Sequence, residues 1–110
     1  MSDDTQIIAK LNDLARKAMG VASHLVITDG IAAYDQLELS TIRQTVETFN
    51  DFSEDNNPYG ERDFGSFLFQ DETVFWKIDY YDKSLQKGSE NPADPAVTTR
   101  VLTIMLASEY

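Results

Sequence analysis

Between Thr73 and Asp82 the side chains change sides with a period of two: Val74, Trp76, Ile78 and Tyr80 share one face of an extended strand, and Phe75, Lys77, Asp79 and Tyr81 the other. A strand with that much apolar surface on one side must bury it against a second layer, so the segment implies a sheet with a covered face and Trp76 as a core anchor. Phe64–Gln70 is a second strand-like run, and the Asp71-Glu72 step between the two predicts a tight hairpin.

Helices supply the cover. Ile7, Ile8, Leu11, Leu14, Ala15 and Ala18 recur at helical spacing between Asp3 and Met19, with Ser2, Asp3 and Asp4 as cap and first-turn acids and Gly20 as a stop. Leu39, Ile42, Val46 and Phe49 mark a second amphipathic helix over about Gln36 to Phe49, capped by Asp35. His24–Thr28 reads as a short strand closed by the turn Asp29-Gly30. After a loop from Lys83, Asp94-Pro95 offers a cap and a first helical proline, and Val97, Val101, Ile104, Met105 and Ser108 trace a last helix towards Tyr110.

The order α-β-α-β-β-α predicts an α+β fold: a small three-stranded antiparallel sheet packed against about three helices. At 110 residues the chain suits one domain spanning 1–110, burying roughly two thirds of its unfolded surface.

Charge narrows function. Nineteen Asp and Glu against nine Lys and Arg leave a net −10, a field that repels nucleic-acid phosphates and anionic membranes and attracts basic surfaces. Direct nucleic-acid and membrane binding are therefore not expected. With no cysteine, no apolar run of the roughly 18 residues a membrane span needs and an acidic start, a cytoplasmic location is expected.

The densest acid cluster lies in the turn-rich stretch Asn50–Gly60 and its flanks: Glu47, Asp51, Glu54, Asp55, Glu61 and Asp63 against Arg62 alone. Asp51, Ser53, Asp55, Asn57 and Tyr59 alternate as in a calcium loop. Asn56 stands where that loop needs glycine, however, and Arg62 where it needs a bidentate glutamate, so no metal and no cofactor are expected. The segment is either a solvated loop or an anionic contact surface.

Asp51, Glu54, Asp55, Tyr59, Glu61 and Asp63, with Phe75 and Tyr81 from the hairpin, are the candidate partner-binding residues. Lys77 with Asp63 and Asp79 would suit a magnesium site only if the hairpin register brought them together. His24 stands alone, and no serine has a nucleophile-elbow context, so no catalytic residue is assigned. Arg100, in an apolar segment, is expected to pair with a carboxylate of the central loop or hairpin.

Three runs carry a resemblance: Asn50–Gly65, with Asn57-Pro58-Tyr59-Gly60-Glu61-Arg62-Asp63-Phe64-Gly65 at its end; Trp76-Lys77-Ile78-Asp79-Tyr80-Tyr81-Asp82; and Asp94–Leu106. They resemble an uncharacterised family of short proteins from alphaproteobacteria and their plasmids and prophages. In that family's pattern the central loop more often has aspartate at position 57 and histidine at 62, so any chemistry carried by that histidine would be missing here.

The resemblance and the charge together imply a non-enzymatic binding protein of a mobile element. It would be an inhibitor of a host defence complex, anti-CRISPR-like, mimicking DNA and occupying a basic nucleic-acid-binding surface. Two alternatives remain: a metal-dependent enzyme centred on Glu61, Asp63 and Asp79, and an accessory protein forming a homodimer through a sheet edge.

Overall fold

The structure, a computed structural model, describes residues 3–110. Among these, α1 (Asp3–Lys17), β1 (His24–Ile27), α2 (Asp29–Ala32), α3 (Gln36–Glu47), β2 (Phe64–Phe69), β3 (Glu72–Tyr81) and β4 (Thr99–Leu106) are followed by a 3-10 turn, Ala107–Glu109. The expected Ser2 cap lies outside the described residues.

Local chemistry sets the helix ends. α1 ends at Lys17, and Gly20, expected as its stop, takes the left-handed conformation (φ 82°) in the turn that follows, where Val21 N and Ala22 N donate to Ala18 O. At α3 the Asp35 carboxylate accepts from Glu38 N and the Glu38 carboxylate from Asp35 N, a reciprocal capping box. Asp29-Gly30, expected as a turn, instead opens the short α2. The hairpin turns at Gln70-Asp71, both at positive φ (52° and 68°), one residue earlier than expected, in the conformation whose twist suits a two-residue loop.

The sheet differs from expectation. It has four strands in the order β1-β4-β3-β2, antiparallel between β2 and β3 and between β3 and β4, but parallel between β1 and β4. The class remains α+β, in the order α-β-α-α-β-β-β.

The last helix does not form, and its residues are β4. A strand paired on both edges and covered on one face carries a nearly continuous apolar run, which periodicity cannot separate from a buried helix. Val97 and Val101, four apart, fit both periods. The deciding alternation is in burial: Arg100, Leu102 and Ile104 are buried, whereas Thr99, Val101 and Thr103 are half-buried. Thr98, Thr99, Val101, Thr103 and Ile104 are also β-branched, which favours the pleated conformation. The expected cap Asp94 instead accepts from Ala96 N and, through its carbonyl, from Val97 N, a turn with Pro95 at its second position.

One core lies between the sheet and the helices: Ala15, Ile31, Ile42 and Val46 against Val74, Trp76, Ile78, Leu102 and Ile104. Trp76 is fully buried, as its strand face implies, and the rings of Phe49 and Phe52 pack edge-on against it. The other sheet face holds Phe75, between Phe64 and Tyr110, and the ion pair of Lys77 with Asp79 at 2.9 Å.

Candidate functional site

α1 departs from its apolar pattern in a way that organises the molecule. Its inward face holds Ile8, Asn12, Ala15 and Arg16, while Ile7 and Leu14, expected inside, are exposed. Asn12, Asp13 and Arg16 thus form a polar seam along an otherwise apolar interface, and that seam fastens the central loop.

Asn12 is fully buried and fully used. Its amide donates to Glu61 O at 2.9 Å and to the Tyr80 hydroxyl at 2.8 Å, and its Oδ1 accepts from Arg100 Nε at 2.7 Å. Tyr80 in turn donates to the Glu61 carboxylate at 2.8 Å. Burial, with Glu61 and Asp63 nearby, raises the Tyr80 pKa far above the ordinary range, so the phenol stays a donor.

The expected carboxylate partner of Arg100 is not found. The guanidinium spends two donors on neutral oxygens, Asn12 Oδ1 and Pro92 O, and lies 5.1 Å over the Tyr80 ring. Glu61 is linked to it by hydrogen bonds through Tyr80 and Asn12, and its charge acts on the guanidinium at longer range.

Arg16 sits a turn further along α1. Its Nη1 donates to Val46 O and Phe49 O, both at 2.9 Å, so a buried cation satisfies carbonyls at the C-terminal end of α3, where positive charge is favoured. Its Nη2 meets Asp13 at 2.7 Å, and the other Asp13 oxygen meets Arg62 at 2.7 Å. Burial lowers the Arg16 pKa and Asp13 opposes that fall. The guanidinium lies 5.0 Å over Trp76 and 5.4 Å over Phe52. None of these contacts was read from the sequence; the available signal was a run of polar residues, Asn12, Asp13 and Arg16, on a helix whose other inward positions are apolar.

Between these anchors the loop is shaped by amides. Asn56 accepts from Ser53 N and donates to Asp51 O, both at 2.8 Å, and Asn57 Oδ1 accepts from Arg62 N at 2.8 Å. The loop's backbone order therefore rests on uncharged side chains. Among the described residues, the carboxylates of Asp51, Glu54 and Asp55 make no hydrogen bond or ion pair; all three are exposed, and Tyr59 beside them is 79% exposed.

The eight candidate residues thus occupy separate places. Asp51, Glu54, Asp55 and Tyr59 share the exposed loop, while Glu61 is turned inward to Tyr80. Asp63 is half-buried at the start of β2; burial raises its pKa, and Glu61 and Asp79 add to the rise. Phe75 and Tyr81 project from the sheet face away from the core. Asp79 is on that face too, paired with Lys77, so Glu61 and Asp79 serve opposite faces of β3. Among the described residues no group of three or more His, Asp or Glu is gathered as a metal-binding set, and no helix is long and apolar enough to cross a membrane.

The sequence model of a family described as a protein of unknown function (DUF3768) matches residues 27–109. The chain belongs to that family. No curated protein and no solved structure matches it. The DUF3768 match takes in the central loop and β2–β4, while α1, which supplies Asn12, Asp13 and Arg16, lies outside it.

Proposed function

We propose that this DUF3768 protein is a non-enzymatic acidic binding protein whose central loop docks on a basic surface of a larger protein. The observation that carries this is the division of labour within the loop. Asn56, Asn57 and the α1 anchors hold its shape, and the acids Asp51, Glu54 and Asp55 beside the exposed Tyr59 have no structural task. A preformed loop loses little conformational freedom on docking, and an exposed tyrosine beside unpaired carboxylates suits an interface anchor within a charged rim.

Four of the nine basic residues add little to the surface field. Arg16 and Arg100 are buried, and Arg62 and Lys77 are paired with Asp13 and Asp79. With the resemblance to plasmid and prophage proteins, the partner we propose is a nucleic-acid-binding complex of the host, inhibited by occupation of its phosphate-binding surface.

The test is capture from a host lysate at low and at high salt, with the wild type and with Asp51, Glu54 and Asp55 changed to Lys. The wild type is expected to retain a nucleic-acid-binding complex at low salt only, and the folded triple variant to retain none. Equal retention by the triple variant would overturn the proposal and turn attention to the Phe75–Tyr81 face.

A further inference from the structure

A buried cation with no carboxylate in contact, on which Glu61 acts only at longer range, points to a second, opposite kind of site. Arg100 is 5% exposed, yet among the described residues no carboxylate lies within 4.0 Å of its guanidinium, as the three ion pairs all lie elsewhere. Nε and one Nη are bonded, to Asn12 and Pro92. The remaining Nη1 donates to nothing, and it is not one of the sealed polar atoms, which are Arg16 Nε and Trp76 Nε1. It therefore keeps contact with solvent from within a buried residue.

Arg100 lines two adjoining recesses of about 190 and 160 Å³, at the end of the sheet where the parallel strands β1 and β4 both begin. Arg100, Lys83, Thr98 and Ala22 line both, and His24 and Thr99 line the smaller. Asp82, next to Lys83 in sequence, keeps its charge while its Oδ1 accepts from Ser84 N, Ser84 Oγ and Gln86 N, and it lines neither recess. Two cationic residues thus line both recesses and a histidine one of them, with no carboxylate in the lining, on a chain of net charge −10.

We propose that these recesses form an oxyanion site that takes a carboxylate or phosphate group, with Arg100 Nη1 as the buried donor and Lys83 as the charge at the rim. Burial strengthens the attraction, because a guanidinium in a low-dielectric wall keeps its charge and is poorly screened by salt. Each recess is several times the roughly 30 Å³ share of a water molecule, so an oxyanion fits with little displacement of protein. No residue of the central loop lines either recess, although Arg100 shares Asn12 with Glu61 at the loop's end.

The experiment is a two-dimensional NMR titration of the full chain at constant ionic strength, with inorganic phosphate in one series, acetate in a second and chloride as control. Saturable shifts are expected at the Arg100 Nε–H and at the amides of His24, Thr98 and Thr99. Lys83→Gln, on an exposed residue that leaves the fold intact, is expected to weaken binding by about tenfold, the size of one lost charge-assisted contact. Arg100→Lys is expected to abolish saturation if it folds, and Lys83→Gln decides the matter if it does not. Saturation by phosphate alone would assign a phosphate ligand, and saturation by acetate, alone or with phosphate, a carboxylate such as an acidic side chain. Shifts that stay linear with both anions, or an affinity that Lys83→Gln leaves unchanged, would overturn the site.

Discussion

Gly65 and Trp76 are direct partners across the β2–β3 ladder, and the missing side chain of the first is the space that the indole of the second fills. A Cβ on Gly65 would collide with Trp76 Nε1 and Cε2 and with Phe49 Cζ. Gly65→Ala is therefore expected to destabilise by about 1–3 kcal/mol through overpacking, and Trp76→Ala by about 3–5 kcal/mol through the cavity left behind. Chemical denaturation of both variants checks this; a Gly65→Ala protein as stable as the wild type would mean that the indole shifts freely.

Asn12 joins helix, sheet and loop through three hydrogen bonds. Asn12→Ala leaves Arg100 Nε without its acceptor and the Glu61 carbonyl without its donor, and each buried group left unpaired costs about 1–3 kcal/mol. Amide exchange at Glu61–Asp63 is expected to rise more than elsewhere in the molecule. A loss of stability with no local rise in exchange would show that Asn12 holds the core and not the loop.

Arg16 is buried with Asp13 and with two carbonyls beyond the middle of α3. Arg16→Ala is expected to cost about 3–5 kcal/mol, since it strands part of a buried ion pair and uncaps a helix end. Arg62→Ala, at the exposed side of the same aspartate, is expected to cost under about 1 kcal/mol. Comparable losses in the two variants would contradict the burial difference.

Two carboxylates are expected to respond to pH with opposite sign. Glu109 accepts from Thr28 Oγ1 at 2.6 Å and from Gly30 N and Leu106 N at 2.9 Å, and these bonds, led by Thr28, lower its pKa below 4.5. Its contribution is present above about pH 4.5 and lost as pH falls through the folded value. The Tm deficit of Glu109→Gln should thus be greatest near neutral pH and close in acid.

Asp63 has a raised pKa, chiefly from burial, so its charged form disfavours folding. Its contribution is present below pH 3.8, the ordinary value, and is lost as pH rises through the folded one. Asp63→Asn is expected to raise Tm at neutral pH and to lose that advantage in acid. A lower Tm at neutral pH would show that the carboxylate is bonded in a way the neighbouring acids do not suggest.

How far the residues themselves announced this arrangement varies along the chain. The cap at Asp35, the glycine turn after α1 and the buried face of β3 all follow from neighbours within a few positions, so they could be read directly, whereas the helix end at Lys17 and the part of Glu38 in the cap were not. The acid-rich loop was legible as a loop, but not which of its acids would stay free. Glu61 lies between Asn12 and Tyr80, which are 49 and 19 residues away, and that distance hides its role.

By itself, then, the sequence determined a small acidic α+β chain with a Trp76-centred hairpin, two amphipathic helices and a turn-rich acidic segment. Only the tertiary structure decided that Thr99–Leu106 is an inner strand, that β1 runs parallel to it, and that Asn12, Arg16 and Arg100 are buried polar anchors. The reason is physical. Caps, turns and amphipathic periods are local energies, whereas a strand between two others and a polar side chain in a core are stabilised only by partners that the chain supplies from far along its length.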